Sequence, residues 1–106
     1  MVKRGEVWLV NLDPTVGSEI RKTRPCIIVS PAEMHDYLRA VIVAPMTTGS
    51  KPAPFRISTV FQGKRGLILL DQVRTLDKVR LVKRLGRVGK RSLLAALSTL
   101  QEIFAV

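Results

Sequence analysis

Cysteine and histidine each occur once in these 106 residues, as Cys26 and His35. A single thiol excludes an intrachain disulfide, and one His with one Cys excludes a His/Cys metal cluster within one chain. No apolar run approaches the ~18 residues needed to cross a bilayer, and MVKRGEVWLV lacks the long apolar centre of a secretory leader. The chain therefore reads as cytoplasmic. Aromatic side chains are few, three Phe with one Trp and one Tyr, which leaves few platforms for stacked bases. Acids are scarce too: eight Asp and Glu face eighteen Lys and Arg, for a net charge of +10. That excess excludes an acidic-surface protein and points to a polyanionic partner, nucleic acid ahead of an anionic membrane or an acidic protein segment.

What is present suits one globular domain over residues 1–106, because 46% of the chain is apolar and a domain of this size buries about two-thirds of its unfolded surface. GEVWLVN is short and rich in strand formers, and Asp13-Pro14 breaks it. Leu12 to Thr23 mixes Pro, Gly and charge without apolar period and reads as a long mobile loop with a functional role. PCIIVSP and AVIVAP have continuous apolar centres next to prolines, the pattern of strands buried on both faces, with a helical turn at AEMHDYL between them. FRISTVF alternates, Gln62-Gly63-Lys64 predicts a hairpin turn into RGLILL, and DQVRTL and RLVKRL read as further strands. SLLAALSTLQEIFAV places Leu93, Leu97, Leu100 and Phe104 on one helical face, with Ser92 as its N-cap. Many short strands and one closing helix imply a mainly β fold, a small, strongly curved antiparallel barrel.

The cations are uneven: Arg74 to Arg91 holds eight of the eighteen, opposed by Asp77 alone. Such a stretch predicts a salt-sensitive phosphate-binding face, with a merely solvated face as the alternative. Charge does not separate a binder from an enzyme. RNA carries its own nucleophile, the ribose 2′-hydroxyl, so cleavage without a metal needs a base, positive charge on the developing phosphorane and a proton for the departing 5′ oxygen. DNA lacks that nucleophile, and no tight carboxylate cluster suited to a two-metal site is visible.

Among the acids Glu19 stands out, within five residues of three cations in GSEIRKTRP. A direct ion pair there favours the charged carboxylate, whereas a general base works best with a proton affinity matched to neutral pH, so burial or like charge would have to oppose that pull. Arg24 precedes Pro25, which biases its backbone toward an extended conformation and aims a permanent charge from the mouth of the buried strand. Thr47 and Thr48 follow Pro45 at the end of AVIVA, where a hydroxyl can meet phosphate. Histidine is the side chain that titrates nearest neutrality when unperturbed, and His35, beside Asp36, is expected in a solvated surface turn. Cys26, between Pro25 and Ile27, is expected to be a small core residue.

In order along the chain, RGEVWLVNLDPTVGSE, TRPCIIVSP, VAPMTTGSK and RGLILLDQVRTLD, followed by the amphipathic helix, resemble the MazF/PemK family of toxins from type II toxin-antitoxin modules. The resemblance implies an SH3-like (MazF/CcdB-like) barrel, a homodimer and no cofactor, metal or membrane partner. It implies a metal-independent endoribonuclease that cuts single-stranded RNA at a short sequence, leaving a 2′,3′-cyclic phosphate and a 5′-hydroxyl. The arginine of the family's Arg-Pro motif falls on Arg24 and the threonine of its Pro-x-Thr motif on Thr47, the implied catalytic pair. The loop acid after Gly-Ser falls on Glu19, implied as the base. The Asp-Gln pair falls on Asp71 and Gln72, which with Thr48, Lys51 and Arg74 are expected to hold RNA. The histidine that some members carry in the first loop has no counterpart here. A cognate antitoxin is also implied, with an acidic and apolar C-terminal segment that covers the RNA groove. Two other readings stay open: a toxin of the same fold that poisons a protein such as DNA gyrase, whose kind lacks the Arg-Pro and Pro-x-Thr pair, and a non-catalytic RNA-binding barrel.

Overall fold

The computed structural model describes all residues, 1–106. Seven strands form one bent antiparallel sheet: β1 (Glu6–Asn11), β2 (Thr23–Ile28), β3 (Ala40–Thr47), β4 (Arg56–Phe61), β5 (Lys64–Leu69), β6 (Arg74–Asp77) and β7 (Leu81–Arg87). A short helix α1 (Ala32–Tyr37) lies between β2 and β3, and α2 (Lys90–Ile103) ends the chain. The strand order is β4-β5-β3-β2-β1-β7, with β6 also on β3. β3 is the hub. It pairs with β2 through Val43–Pro45, and on its other edge with β6 through Ala40–Val43 and β5 through Met46 and Thr47. The hydrogen-bonded ladder does not close, since β4 and β7 are its two ends. Side chains bridge that seam instead: Gln62 Nε2 donates to the Leu85 carbonyl at 3.1 Å.

The continuous apolar runs are buried on both faces, as their composition predicts. Val7, Ile27, Val29, Ala44 and Met46 point to one core, where Ile68, Leu70 and Ala96 complete the packing. Cys26, Ile28, Val41 and Val43 point to a second, with Val10, Leu12 and Leu76. Cys26 is fully buried, and desolvation pushes its thiol up to about 12 against the weaker pull of Arg74. It is a packing residue, as expected.

The β4–β5 turn is the hairpin expected at Gln62-Gly63, with positive φ at both residues (51° and 77°), the geometry that matches strand twist. The Asp71-Gln72 start of DQVRTL instead belongs to a 3₁₀ turn, Leu70–Gln72, and β6 starts at Arg74. α2 begins three residues earlier than predicted: Gly89, not Ser92, is its N-cap, and Ser92 Oγ bonds Thr59 Oγ1 at 2.8 Å rather than capping. Its core face runs through Leu93, Leu97, Leu100 and Ile103. Phe104 lies past the helix end and is 72% exposed, so it leaves the face that its spacing assigned to it.

Two further expectations are corrected. His35 is buried, not solvated: its Nε2 meets Ser30 Oγ and its Nδ1 lies 3.0 Å from the Val2 carbonyl, so α1 is clipped to the sheet and the N-terminus. The Leu12 to Thr23 segment is not a free loop at its base. Leu12 is fully buried, its N–H donates to Lys22 O, and the Lys22 N–H donates to Asp13 Oδ1. β2 also claims Thr23.

Candidate active site

Arg24 and Thr47 come from different strands that lie side by side. Where β2 meets β3, Cys26 stands opposite Pro45, so two residues outward the antiparallel register carries Arg24 and Thr47 to the same end of the sheet. Both strands run through their prolines, which leaves Arg24 as the second residue of β2 and Thr47 as the last of β3. Both side chains line one cleft of about 270 Å³, together with Pro25, Met46, Thr48, Phe61 and Lys64. Three ion pairs form in the molecule, Arg39–Asp77, Arg56–Asp71 and Arg84–Glu6, and none involves Arg24. Arg24 Nε donates to the Arg21 carbonyl at 3.3 Å, which leaves the terminal nitrogens for an anion. Thr47 Oγ1 accepts from the Gly49 N–H at 3.2 Å, so its own O–H is directed elsewhere. A fixed guanidinium and a hydroxyl donor thus face one cavity, a suitable arrangement for a phosphorane.

The remaining expected site residues separate into two places. Glu19, Asp71, Gln72 and Arg74 line a second cavity of about 180 Å³ with Leu12, Ile20, Pro45 and Val73. The two cavities adjoin along β3: Pro45 lines the second, while Met46 and Thr47 line the first. Glu19 therefore stands beside the Arg24–Thr47 cleft and not in it, and its Oε1 accepts from the Val16 N–H at 2.5 Å. Asp71 accepts two hydrogen bonds from Arg56, from Nε at 3.0 Å and from Nη2 at 2.9 Å. Those hydrogen bonds hold the Asp71 carboxyl below its ordinary value, against burial, and raise Arg56. Gln72 Oε1 accepts from the Ile20 N–H at 2.8 Å, so its NH₂ is the free end. Lys51 lines neither cavity; its carbonyl accepts from Arg56 Nη1 at 3.4 Å.

Much of the basic stretch Arg74–Arg91 also has a structural use. Arg74 donates to Leu12 O, Lys78 to His35 O, Arg80 to Asn11 O and Asp13 O, Arg84 to Glu6 and Arg87 to Arg4 O. Five of its cations thus tie loops and strands together. The cleft draws its charge from Arg24 and Lys64 instead. Lys64, Phe61 and Gly66 are site residues that the sequence reading missed. Only the hairpin signal at Gln62-Gly63 hinted that the two ends of that turn would reach the same place.

The protein-family description PemK-like, MazF-like toxin of type II toxin-antitoxin system matches residues 3–104. The chain is 42% identical to Endoribonuclease PemK of Escherichia coli over 108 residues, covering 96% of this chain and 81% of that protein. Its fold is similar to the crystal structure of MazF from Deinococcus radiodurans, with a TM-score of 0.88 at 24% identity over 99% of this chain and 97% of that one. It is also similar to an endoribonuclease in complex with its cognate antitoxin from a mycobacterial species, with a TM-score of 0.83 at 20% identity over 100% and 97% of the two chains.

Proposed function

The chain belongs to the PemK-like, MazF-like toxins of type II toxin-antitoxin systems, and from that premise we propose how its cleft acts. The protein is an RNA-cleaving toxin, an endoribonuclease. Its substrate is single-stranded RNA, cut by attack of a ribose 2′-hydroxyl on the adjacent phosphorus. The O2′–P bond forms and the P–O5′ bond breaks; the 2′-hydroxyl proton goes to the base, the departing O5′ takes a proton from water, and the products are a 2′,3′-cyclic phosphate and a 5′-hydroxyl. Arg24 places positive charge on the pentacoordinate phosphate, and the Thr47 hydroxyl donates a hydrogen bond to it. The single observation that carries this reading is the shared cleft of Arg24 and Thr47.

The base is assigned to Glu19, and this assignment requires RNA to span both cavities, because the titratable side chains of the cleft itself are Arg24 and Lys64. Thr48, Gln72 and Arg74 contact the flanking nucleotides, with Asp71 holding Arg56 in place beside them and Lys51 at the rim. Metal independence belongs to the same proposal and is supported by the donor set: no three His, Cys, Asp or Glu side chains gather anywhere in the fold. A cognate antitoxin covers the same cationic cleft, so inhibitor and RNA exclude one another, and the working unit is a homodimer in the cytoplasm. No helix is long and apolar enough to cross a membrane.

The test is incubation of the purified protein with a long single-stranded RNA in EDTA, followed by sequencing of the new 5′ ends. Recurrent cuts bearing 5′-hydroxyls are the expected result. Uncut RNA that is retained tightly would replace the enzyme with a binder. Uncut RNA together with inhibited gyrase would replace it with a protein poison.

A further inference from the structure

We infer that the β4–β5 hairpin forms a nucleotide subsite, in which a base flanking the scissile linkage stacks on Phe61 while Lys64 holds the adjoining phosphate. The inference rests on the endoribonuclease reading and adds a substrate contact to it. Aromatic side chains are rare in this chain, and of the five only Phe61 lines the Arg24–Thr47 cleft. Its ring is half-buried. It packs against the principal core, and it lies so close to β7 that a Cβ at Gly86 would come within 3.4 Å of Cζ. Gly86 has φ 152°, so the strand passes behind the ring without a side chain to displace it. A ring braced from behind, with its remaining surface on a cationic cleft, is a stacking platform of low entropic cost.

Lys64 stands directly opposite Phe61 in the hairpin ladder, across the two-residue turn, and enters none of the molecule's ion pairs. The turn is held in place from outside by the Gln62 Nε2 bond to Leu85 O, so ring and ammonium are presented by a fixed element. One nucleotide offers a π face and a phosphate a few ångströms apart, and the hairpin offers the partner for each. The bases admitted beside the cut are then read partly by stacking, which is tolerant of sequence, while Lys64 contributes salt-sensitive affinity.

The experiment uses a single-stranded oligonucleotide that the protein cuts, with an abasic ribose placed in turn at each of three positions on either side of the scissile linkage. Cleavage is followed as kcat/KM, and binding by fluorescence anisotropy on the analogue with a 2′-deoxyribose at the cut, for the wild type, Phe61→Leu, Phe61→Tyr and Lys64→Gln. One abasic position should weaken wild-type binding and cleavage by about tenfold. Phe61→Leu should show a comparable loss on intact RNA and no further loss at that position, with Phe61→Tyr close to wild type. Lys64→Gln should reduce the salt slope of binding by about 0.7. Losses that simply add in Phe61→Leu at every position, or a wild type indifferent to base removal everywhere, overturn the subsite. A wild type that binds single-stranded RNA but cuts none overturns the catalytic reading alone; the abasic ribose is then moved along the whole of a bound oligonucleotide, and the binding data still decide the subsite.

Discussion

Gly66 approaches Thr47 so closely that a Cβ at position 66 would lie 2.7 Å from the Thr47 carbonyl oxygen and 3.3 Å from its carbonyl carbon. The contact is with backbone, which cannot swing aside as a long side chain can. Gly66→Ala must therefore push β5 away from the end of β3, at the point where Thr47 pairs with Leu67. The cost in stability should be about 1–3 kcal/mol, read from denaturant melts. Cleavage should fall on the order of 100-fold at a temperature where the variant is still folded, because a displacement near 1 Å at a reacting centre has that effect. Retention of full activity with the expected loss of stability would show that Thr47 is not placed by this contact.

Arg24→Ala removes the charge that faces the cleft. Arg24 makes one side-chain hydrogen bond, to Arg21 O, and no ion pair, so stability should change by no more than about 0.5 kcal/mol. Single-turnover cleavage should fall at least about 100- to 1,000-fold. Arg24→Lys should recover little, since an ammonium does not reproduce the planar fork on two phosphorane oxygens. A variant that melts like wild type and still cuts would remove Arg24 from the chemistry.

Glu19→Gln separates a base from a binding residue. If the carboxylate takes the 2′-hydroxyl proton, kcat falls about 100-fold or more, with little change in KM. If Glu19 only lines the neighbouring cavity, kcat is kept and the change is confined to KM.

The elements that could be read from sequence were those with a strong period or a strong turn signal. PCIIV and AVIVA are apolar at every position because both faces of β2 and β3 are buried, and Gln62-Gly63 is a hairpin because both residues take positive φ. Arg24 and Thr47 were found from residue order, yet their meeting depends on a register between two strands that no local pattern encodes. Two readings failed for related reasons. His35 is polar and flanked by charge, but tertiary contacts from Val2 and Ser30 satisfy it in the interior. Phe104 fits the helical period but falls after the last turn. The cations of Arg74–Arg91 read as a phosphate face from composition alone, and pattern gave no sign that several of them also bond carbonyls contributed by distant segments.

Glu6 predicts an acid limb of stability. It is 5% exposed; burial pushes its carboxyl up, but the Lys3 N–H at 2.9 Å, Trp8 Nε1 at 3.1 Å and Arg84 Nε at 2.9 Å outweigh that and hold it below its ordinary value of 4.5. A depressed folded-state value means that the unfolded chain binds the proton first as pH falls. The stabilisation is therefore complete above the unfolded value and is lost as pH drops through the folded one. Thermal melts from pH 7 to pH 3 should show a Tm that declines below about pH 4.5, and Glu6→Gln should flatten that decline while lowering the Tm at neutral pH. An unchanged slope in Glu6→Gln would assign acid lability to other carboxylates, Asp71 first.

Ser30→Ala tests the buried histidine. The Val2 carbonyl can only accept, so Nδ1 carries the proton toward it, and Nε2 is left to accept from the Ser30 hydroxyl. Ser30 Oγ in turn accepts from the Ile42 N–H at 2.9 Å, and the residue is 2% exposed. Removing that hydroxyl orphans a buried N–H and a buried ring nitrogen together, for about 1–3 kcal/mol of lost stability. Neither Ser30 nor His35 lines the Arg24–Thr47 cleft, so kcat should be unchanged in the folded variant and amide exchange should accelerate at Ile42. A fall in kcat without a fall in stability would connect this network to the cleft by a route that packing alone does not supply.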